Sequence, residues 1–343
     1  MTPADDAAPR ADAAPYDDLS QLVRALGRGP GRSRNLTREE AAQAMTAILA
    51  GRAAPEAVGA LLMLMRYRGE SPEEIAGFVD AMRARSGAWA GVGAALDWPS
   101  YAAGKSRGLP WFLLSARLVA QAGFPVMLHG WNSHPGMADP RESLSAAGIP
   151  VTRTPDAARD ALAGGGLAYA PLECIDAELL GVLRLRERLG LRSAVNTALR
   201  AWNPSAADAQ VEGVFHPPYR PLARGAAEVL GEMAMTAIKG GGGEFERHPS
   251  KTVTLEGLRG GAPFIAEAPA LVDESRRLKD GDADPGRLPA LWTGAAEDPF
   301  AEAVVTGTAA LALMTLGVAG TAEEADEAAA TLWTARDRAA LAA

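Results

Sequence analysis

The sequence predicts an α/β protein with a small N-terminal helical domain and a larger domain built on a mostly parallel central sheet. Three observations carry this. Thr37 with Glu40, and Ser71 with Glu74, are capping-box starts, each followed by an apolar stripe at helical spacing. From about residue 94 short apolar runs alternate with helical patterns, as in a parallel sheet with flanking helices. The run at 233–238 leads into Lys239 and four consecutive glycines. A glycine run at a strand end lets the backbone come close to a ligand, because there is no Cβ to clash.

Taken in order, residues 1–15 are mostly Ala, Pro and Asp and are expected to be a disordered tail. Residues 16–87 form the helical domain, with helices near 176–200 expected to join it. Ala41, Ala44, Met45, Ile48 and Leu49 mark one helical face; Val58, Leu61, Leu62 and Met65 the next; Ile75, Phe78, Val79 and Met82 the third. The middle helix is apolar on more than one face, which points to a second partner such as another subunit. Residues 94–343 form the α/β domain. Its strand candidates lie at 94–98, 124–129, 167–170, 211–215, 234–238 and 252–255. Its helix candidates lie at 109–121, 155–163, 176–189, 219–230, 300–317 and 321–339. Residues 278–299 are rich in Asp, Gly and Pro and read as an exposed loop.

Composition excludes several classes. The single cysteine, Cys174, rules out a disulfide framework and a Cys-rich metal site, and its apolar neighbours suggest a buried thiol. No apolar run has the length of a membrane span, and the acidic N-terminus has no apolar core of a signal peptide, so a cytoplasmic protein is expected. The 343-residue chain carries 34 Lys and Arg against 42 Asp and Glu, a formal charge of −8. The acids are concentrated at 1–18, 267–300 and 321–343, leaving the middle of the chain mildly basic.

Four features bear on chemistry. Gly104, Lys105 and Ser106 fail the full phosphate-loop pattern, because residue 99 is Pro. A Gly/Lys/Arg loop between a strand and a helix can still hold phosphate through backbone N–H groups, Lys105 and Arg107; a solvated turn is the alternative. The histidines at 129, 134, 216 and 248 lack metal-pair spacing, but all fall near strand ends, which makes a shared cleft plausible. Residues 182–200 carry five Arg, with Arg184 and Arg188 four apart on one helix face and Arg192 just beyond; a solvated face competes with a phosphate site. The stretch Lys239–Lys251 holds Glu244, Glu246, Arg247 and His248 behind its glycines, and is either a ligand loop or a solvated hairpin tip.

Several motifs resemble anthranilate phosphoribosyltransferase and the related pyrimidine nucleoside phosphorylases. They are Leu36-Thr-Arg-Glu-Glu40, Arg68-Gly-Glu-Ser-Pro-Glu-Glu-Ile-Ala76, Gly123-Phe-Pro-Val-Met-Leu-His-Gly130, Leu189-Gly-Leu-Arg-Ser-Ala-Val-Asn196 with Asn203-Pro204, and Gly213-Val-Phe-His-Pro-Pro-Tyr219. The resemblance runs over nearly the whole chain from residue 16 and implies the anthranilate phosphoribosyltransferase/nucleoside phosphorylase type II fold. The family's Gly-Thr-Gly-Gly-Asp-Gly loop is replaced by Ser100-Tyr-Ala-Ala-Gly-Lys105, its Lys-His-Gly-Asn by Leu128-His-Gly-Trp131, and its metal-binding Gly-Leu-Asp-Glu by Glu244-Phe-Glu-Arg247.

These replacements resemble the anthranilate phosphoribosyltransferase-like (YbiB-type) branch of glycosyltransferase family 3. That resemblance implies a homodimer, associating through the helical domain, that binds single- or double-stranded nucleic acid without sequence preference and has no metal or other cofactor. The phosphate contacts expected on this reading are Lys105, Arg107, Arg184, Arg188, Arg192, Lys239, Arg247 and Lys251, with Trp111 and Trp131 as stacking candidates, although core packing is the stronger expectation for Trp111. Gly104, His129, Gly130, Gly240, Gly241, Glu244 and Glu246 would line the former active-site cleft. The alternative is an active pentosyltransferase with an altered substrate, in which Gly104 and Lys105 hold a phosphate and Glu244 and Glu246 hold Mg²⁺.

Overall fold

The computed structural model describes residues 17–101, 108–131, 140–280 and 283–341. Four helices open it: α1 (Ser20–Gly27), α2 (Arg38–Leu49), α3 (Pro55–Arg68) and α4 (Pro72–Arg85). Both capping boxes form. The Thr37 hydroxyl accepts the Glu40 N–H at 3.2 Å while Glu40 accepts the Thr37 N–H at 3.0 Å, and Ser71 and Glu74 repeat the exchange. A cap of this kind stabilises a helix by about 1 kcal/mol. Glu74 also accepts the Leu36 N–H through its second oxygen, at 2.8 Å, so one buried carboxylate ties the start of α2 to the start of α4. The stripes predicted on α2 and α4 face each other across this contact and are buried. The crossing is close: a Cβ on Gly77 would stand 2.2 Å from the Arg38 carbonyl oxygen.

The second domain begins with β1 (Leu96–Ser100), α5 (Phe112–Gln121), β2 (Val126–Gly130), α6 (Pro140–Ser143), α7 (Pro155–Gly165) and β3 (Leu167–Pro171). The chain then returns to the helical domain through α8 (Leu172–Ile175), α9 (Ala177–Leu183), α10 (Arg186–Leu189) and α11 (Ala194–Ala198). Leu179, Val182, Leu183, Val195 and Trp202 share one apolar cluster with α1–α4. The single helix expected over 176–189 is therefore broken. Asp176 caps a new start by accepting the Leu179 N–H, and the chain leaves helical continuity at Arg184 and Leu185.

From there β4 (Ala209–Val214), α12 (Tyr219–Leu230) and β5 (Ala234–Lys239) complete five parallel strands, and β6 (Val253–Arg259) and β7 (Ala262–Ala268) add an antiparallel edge. The strand order is β3-β2-β1-β4-β5-β6-β7. Strand β7 is absent from the sequence reading, yet it follows a two-glycine turn. Gly260 and Gly261 both take positive φ, at 57° and 75°, as a tight hairpin requires. The loop expected over 278–299 contains a further helix, α13 (Arg287–Thr293). Helices α14 (Pro299–Thr315) and α15 (Ala322–Thr334) close the fold, with α14 buried along most of its length against the sheet, α5 and α15. Cys174 is half-buried rather than buried, beside Arg153. No helix among the described residues is long and apolar enough to cross a membrane.

Strand order reverses between β1 and β4. These two strands pair only at Leu96 with Ala209 and Asp97 with Gln210, and then diverge, although β1 runs on to Ser100 and β4 to Val214. A crevice therefore opens at the carboxyl edge, at the topological switch point where open α/β sheets bind ligands.

Glu212 on β4 is 2% exposed, and one of its oxygens has no hydrogen-bond partner among the described residues. Burial pushes its pKa up to about 8 from an ordinary 4.5, with Arg200 pulling the other way. The folded state thus keeps a proton that the unfolded chain releases, so stability falls as pH rises from the ordinary value towards 8. Glu212→Gln should remove this term. Thermal unfolding of the two proteins should converge near pH 4 and separate in favour of the variant towards pH 8; parallel curves would contradict the assignment.

Candidate phosphate-binding cleft

The floor of the crevice is aromatic. Phe245 is fully buried and meets the Trp98 indole edge-on at 5.4 Å, so the loop after β5 inserts a ring where the strands part. Beside it Tyr101, His129 and Asp97 form a buried chain. Burial keeps the Tyr101 hydroxyl well above its ordinary pKa, and it donates to His129 Nδ1 at 2.8 Å. That leaves His129 Nε2–H to donate to Asp97 Oδ2 at 3.1 Å. His129 has no solvent exposure, so it supports the crevice from beneath. Gly130 ends β2 where a Cβ would meet the Ser100 carbonyl oxygen at 1.9 Å.

The glycine loop is tightly held. A Cβ on Gly240 would lie 1.7 Å from the Glu244 carbonyl oxygen, and Gly242 takes φ 66°. The Gly241 N–H donates to the Glu246 carbonyl at 3.0 Å. The Glu246 side chain, fully buried, accepts the Phe112 N–H at the start of α5 at 3.2 Å, complementing the positive end of that helix. Arg247 is also fully buried. It donates twice to Asp326 on α15, at 2.6 and 3.2 Å, and to the carbonyls of Pro269 and Gly307 at 2.7 and 3.4 Å. Its own N–H donates to Thr308 on α14 at 2.9 Å.

These contacts correct three expectations. Arg247 cannot reach a nucleic-acid backbone, because its guanidinium is enclosed and paired. Glu246 anchors α5, and Glu244 is buried in the field of Arg200. Neither carboxylate stands in a metal-binding set: among the described residues no group of three or more His, Cys, Asp or Glu is arranged to hold a metal ion.

Cations gather instead in two pockets at the carboxyl edge, both lined by Phe215, which is 42% exposed. The larger, about 450 Å³, is bounded by Lys239, Gly240, Gly241, Gly242, Lys251 and Lys279, with His248, Arg220 and Arg277. Burial, then Lys251 and Lys239, hold the His248 imidazole below its ordinary pKa, which marks a positive field. The smaller brings together Arg66, Arg192 and Arg200 with Ser193, Asn196, His216 and Tyr219. Arg200 is only 9% exposed, and its guanidinium has no hydrogen-bond partner among the described residues. Burial, reinforced by Arg186, Arg200 and Arg66, pushes the Arg192 pKa down to about 10. Arg66 donates to the Tyr219 hydroxyl.

Of the predicted contacts, the structure brings Lys239 and Lys251 to one pocket and Arg192 to the other. Arg184 and Arg188 line neither. The break between α9 and α10 removes the shared helix face, and Arg184 Nε instead donates to Glu187 at 3.0 Å. Gly104, Lys105, Arg107 and His134 lie outside the described residues. Trp111 is buried in the core, as expected for core packing, and Trp131 packs partly buried against the helical domain. Sequence reading missed Arg66, Arg277 and Lys279, which stand far from the glycine loop in sequence and carry no local motif. Arg200 had a signal, as the fifth arginine of the basic stretch.

The helical bundle and the switch-point crevice define the class. Residues 20–86 match the Glycosyl transferase family, helical bundle domain. The chain is 30% identical to anthranilate phosphoribosyltransferase of Rhodopseudomonas palustris (strain BisA53), covering 86% of this chain and 88% of that one, and 29% identical to that of Methylobacterium nodulans, covering 83% and 86%. Among solved structures, anthranilate phosphoribosyltransferase from Thermus thermophilus superposes with TM-score 0.70 at 24% identity over 93% of this chain and 98% of that one. The Saccharomyces cerevisiae enzyme in complex with 4-fluoroanthranilate gives 0.74 at 13% identity over 94% of each. The chain belongs to the anthranilate phosphoribosyltransferase family.

Breaking the buried pair with Arg247→Ala should cost about 3–5 kcal/mol in denaturant unfolding, because it leaves Asp326 without its partner. The double variant Arg247→Met, Asp326→Leu should recover much of that loss. Equal stability of Arg247→Ala and the native chain would show the pair to be dispensable.

Proposed function

We propose that this protein is a pentosyltransferase-type member of its family, holding a phosphorylated pentose donor and a second, anionic substrate at the carboxyl edge of the sheet. The observation that carries this is the pair of cationic pockets sharing Phe215. The roomy lysine-lined pocket suits a phosphate-bearing sugar, and the compact arginine pocket suits a small carboxylate or phosphate, since the guanidinium fork donates in pairs to the oxygens of either anion. Transfer would proceed by positioning the two substrates and stabilising the charge of a departing pyrophosphate. The curated relatives, named for phosphoribosyl transfer, support this reading over a purely nucleic-acid-binding one. The replaced phosphate and metal motifs point to a substrate pair different from theirs.

A second reading is favoured by Phe215 itself. An exposed aromatic ring between two cationic pockets is the arrangement that stacks a base while cations track a phosphate backbone. Lys239, Lys251 and Arg192 would then hold nucleic acid.

Incubation with phosphoribosyl pyrophosphate and a panel of aromatic and aliphatic carboxylates, with pyrophosphate release as readout, separates the two. Turnover reduced at least about 100-fold in Arg192→Ala, Arg200→Ala is expected, as for loss of charged contacts realised in the transition state. No release with any acceptor, together with salt-sensitive retention of oligonucleotides on filters, would replace the first reading with the second.

A further inference from the structure

The chain contains only four lysines, at 105, 239, 251 and 279, against 30 arginines. Three of the four line the larger pocket. They arrive from separate elements: Lys239 from the end of β5, Lys251 from the turn before β6, and Lys279 from the segment between β7 and α13. Arg277 joins them. None of these four pocket cations makes an ion pair among the described residues, whereas elsewhere arginines are extensively paired with carboxylates. No Asp or Glu lines the pocket among the described residues, in a protein whose formal charge is −8. Arg220, the fifth cation, is held by Glu256 at 3.3 Å and by the Thr254 carbonyl.

The position is also informative. The pocket is walled by the glycine loop and by Leu278, whose carbonyl packs against Gly108 so closely that a Cβ there would lie at 2.2 Å. Gly108 precedes α5, the helix whose first turn Glu246 binds. The lysines therefore stand beside the switch-point crevice, where Glu246 of the same loop is hydrogen-bonded to the start of α5 and Glu244 lies in the field of Arg200. Lysine ammonium is a compact charge with three donors, suited to the non-planar oxygens of a phosphoanhydride. Phe215, Val253 and Leu278 give the pocket an apolar wall for an organic substituent.

We infer that the cavity of Lys239, Lys251, Lys279 and Arg277 is a diphosphate-binding site in which side-chain cations perform the charge neutralisation that a divalent metal would otherwise supply. Its ligand class is a pyrophosphate ester or free pyrophosphate, bound without Mg²⁺. The inference rests on reading the carboxyl edge as a phosphorylated-pentose site, but it concerns binding and needs no turnover.

Calorimetric titration of the full chain with inorganic pyrophosphate in EDTA tests it. Binding is expected in EDTA, with little gain on adding Mg²⁺. Affinity should fall about tenfold or more for each of Lys239→Ala and Lys251→Ala, in line with loss of one charge-assisted hydrogen bond, and Lys251→Arg should retain most of it. Unchanged thermal unfolding of the variants would separate lost binding from lost folding. Binding seen only with Mg²⁺, affinity indifferent to the lysines, or capture of an oligonucleotide with none of pyrophosphate would each overturn the inference. If pyrophosphate binds in EDTA while no pentosyl transfer occurs, the reaction assigned above fails and this site stands.

Discussion

The loop after β5 is four glycines long, and the protein depends on how it is restrained. Left to itself such a run would be the most mobile part of the chain, since glycine loses the most conformational freedom on ordering. It is held by the residues that follow. Phe245 fills the gap between diverging strands, Glu246 binds the first turn of α5, and Arg247 joins Asp326 and two carbonyls in the C-terminal helices and the segment after β7. Sheet, α5 and the α14–α15 pair thus meet at three consecutive side chains. A buried ion pair is a weak source of net stability, but it is intolerant of losing one partner, and that intolerance specifies one arrangement. The lysine pocket inherits its shape from this clamp.

Charge is distributed to the same end. The acids outnumber the bases in the chain as a whole, yet the carboxyl edge is cationic. The separation is produced by pairing. Arg38, Arg83, Arg85, Arg276 and Arg287 are each engaged by carboxylates away from the pockets. Lys239, Lys251, Lys279 and Arg277 meet beside the glycine loop and Arg66, Arg192 and Arg200 meet next to it, and the mutual repulsion shows in the depressed basicity of Arg192 and His248, to which burial contributes most. Like charges brought together at a cost are a familiar sign of a site that awaits a ligand of opposite sign.

Much of this was legible in the residues. The capping boxes placed α2 and α4 to within a residue, because Thr37 and Ser71 state the helix start chemically. The parallel strands were legible as apolar runs because both faces are covered. Strand β7 was missed because Pro263, Glu267 and its alternating exposure do not read as buried, although the two-glycine turn before it was visible. Helix α13 was hidden by the Asp, Gly and Pro around it. In the site, Lys239 and Lys251 were found because they flank the glycine loop. Lys279, Arg277 and Arg66 were not, because their place is a property of tertiary packing. The misreading of Arg247 has a single cause: a charge next to a glycine loop looks exposed in sequence, and the partner that buries it, Asp326, lies 79 positions away.

The sparse pairing of β1 with β4 has a wider consequence. Because the crevice is made by two strands parting, its existence does not depend on which loop lies over it. Side chains and loops at its edge can be exchanged while the opening persists, as a socket outlasts the plug it was made for. A frame of this kind can pass from one reagent to another by exchanging a handful of side chains at its rim, without ever ceasing to fold.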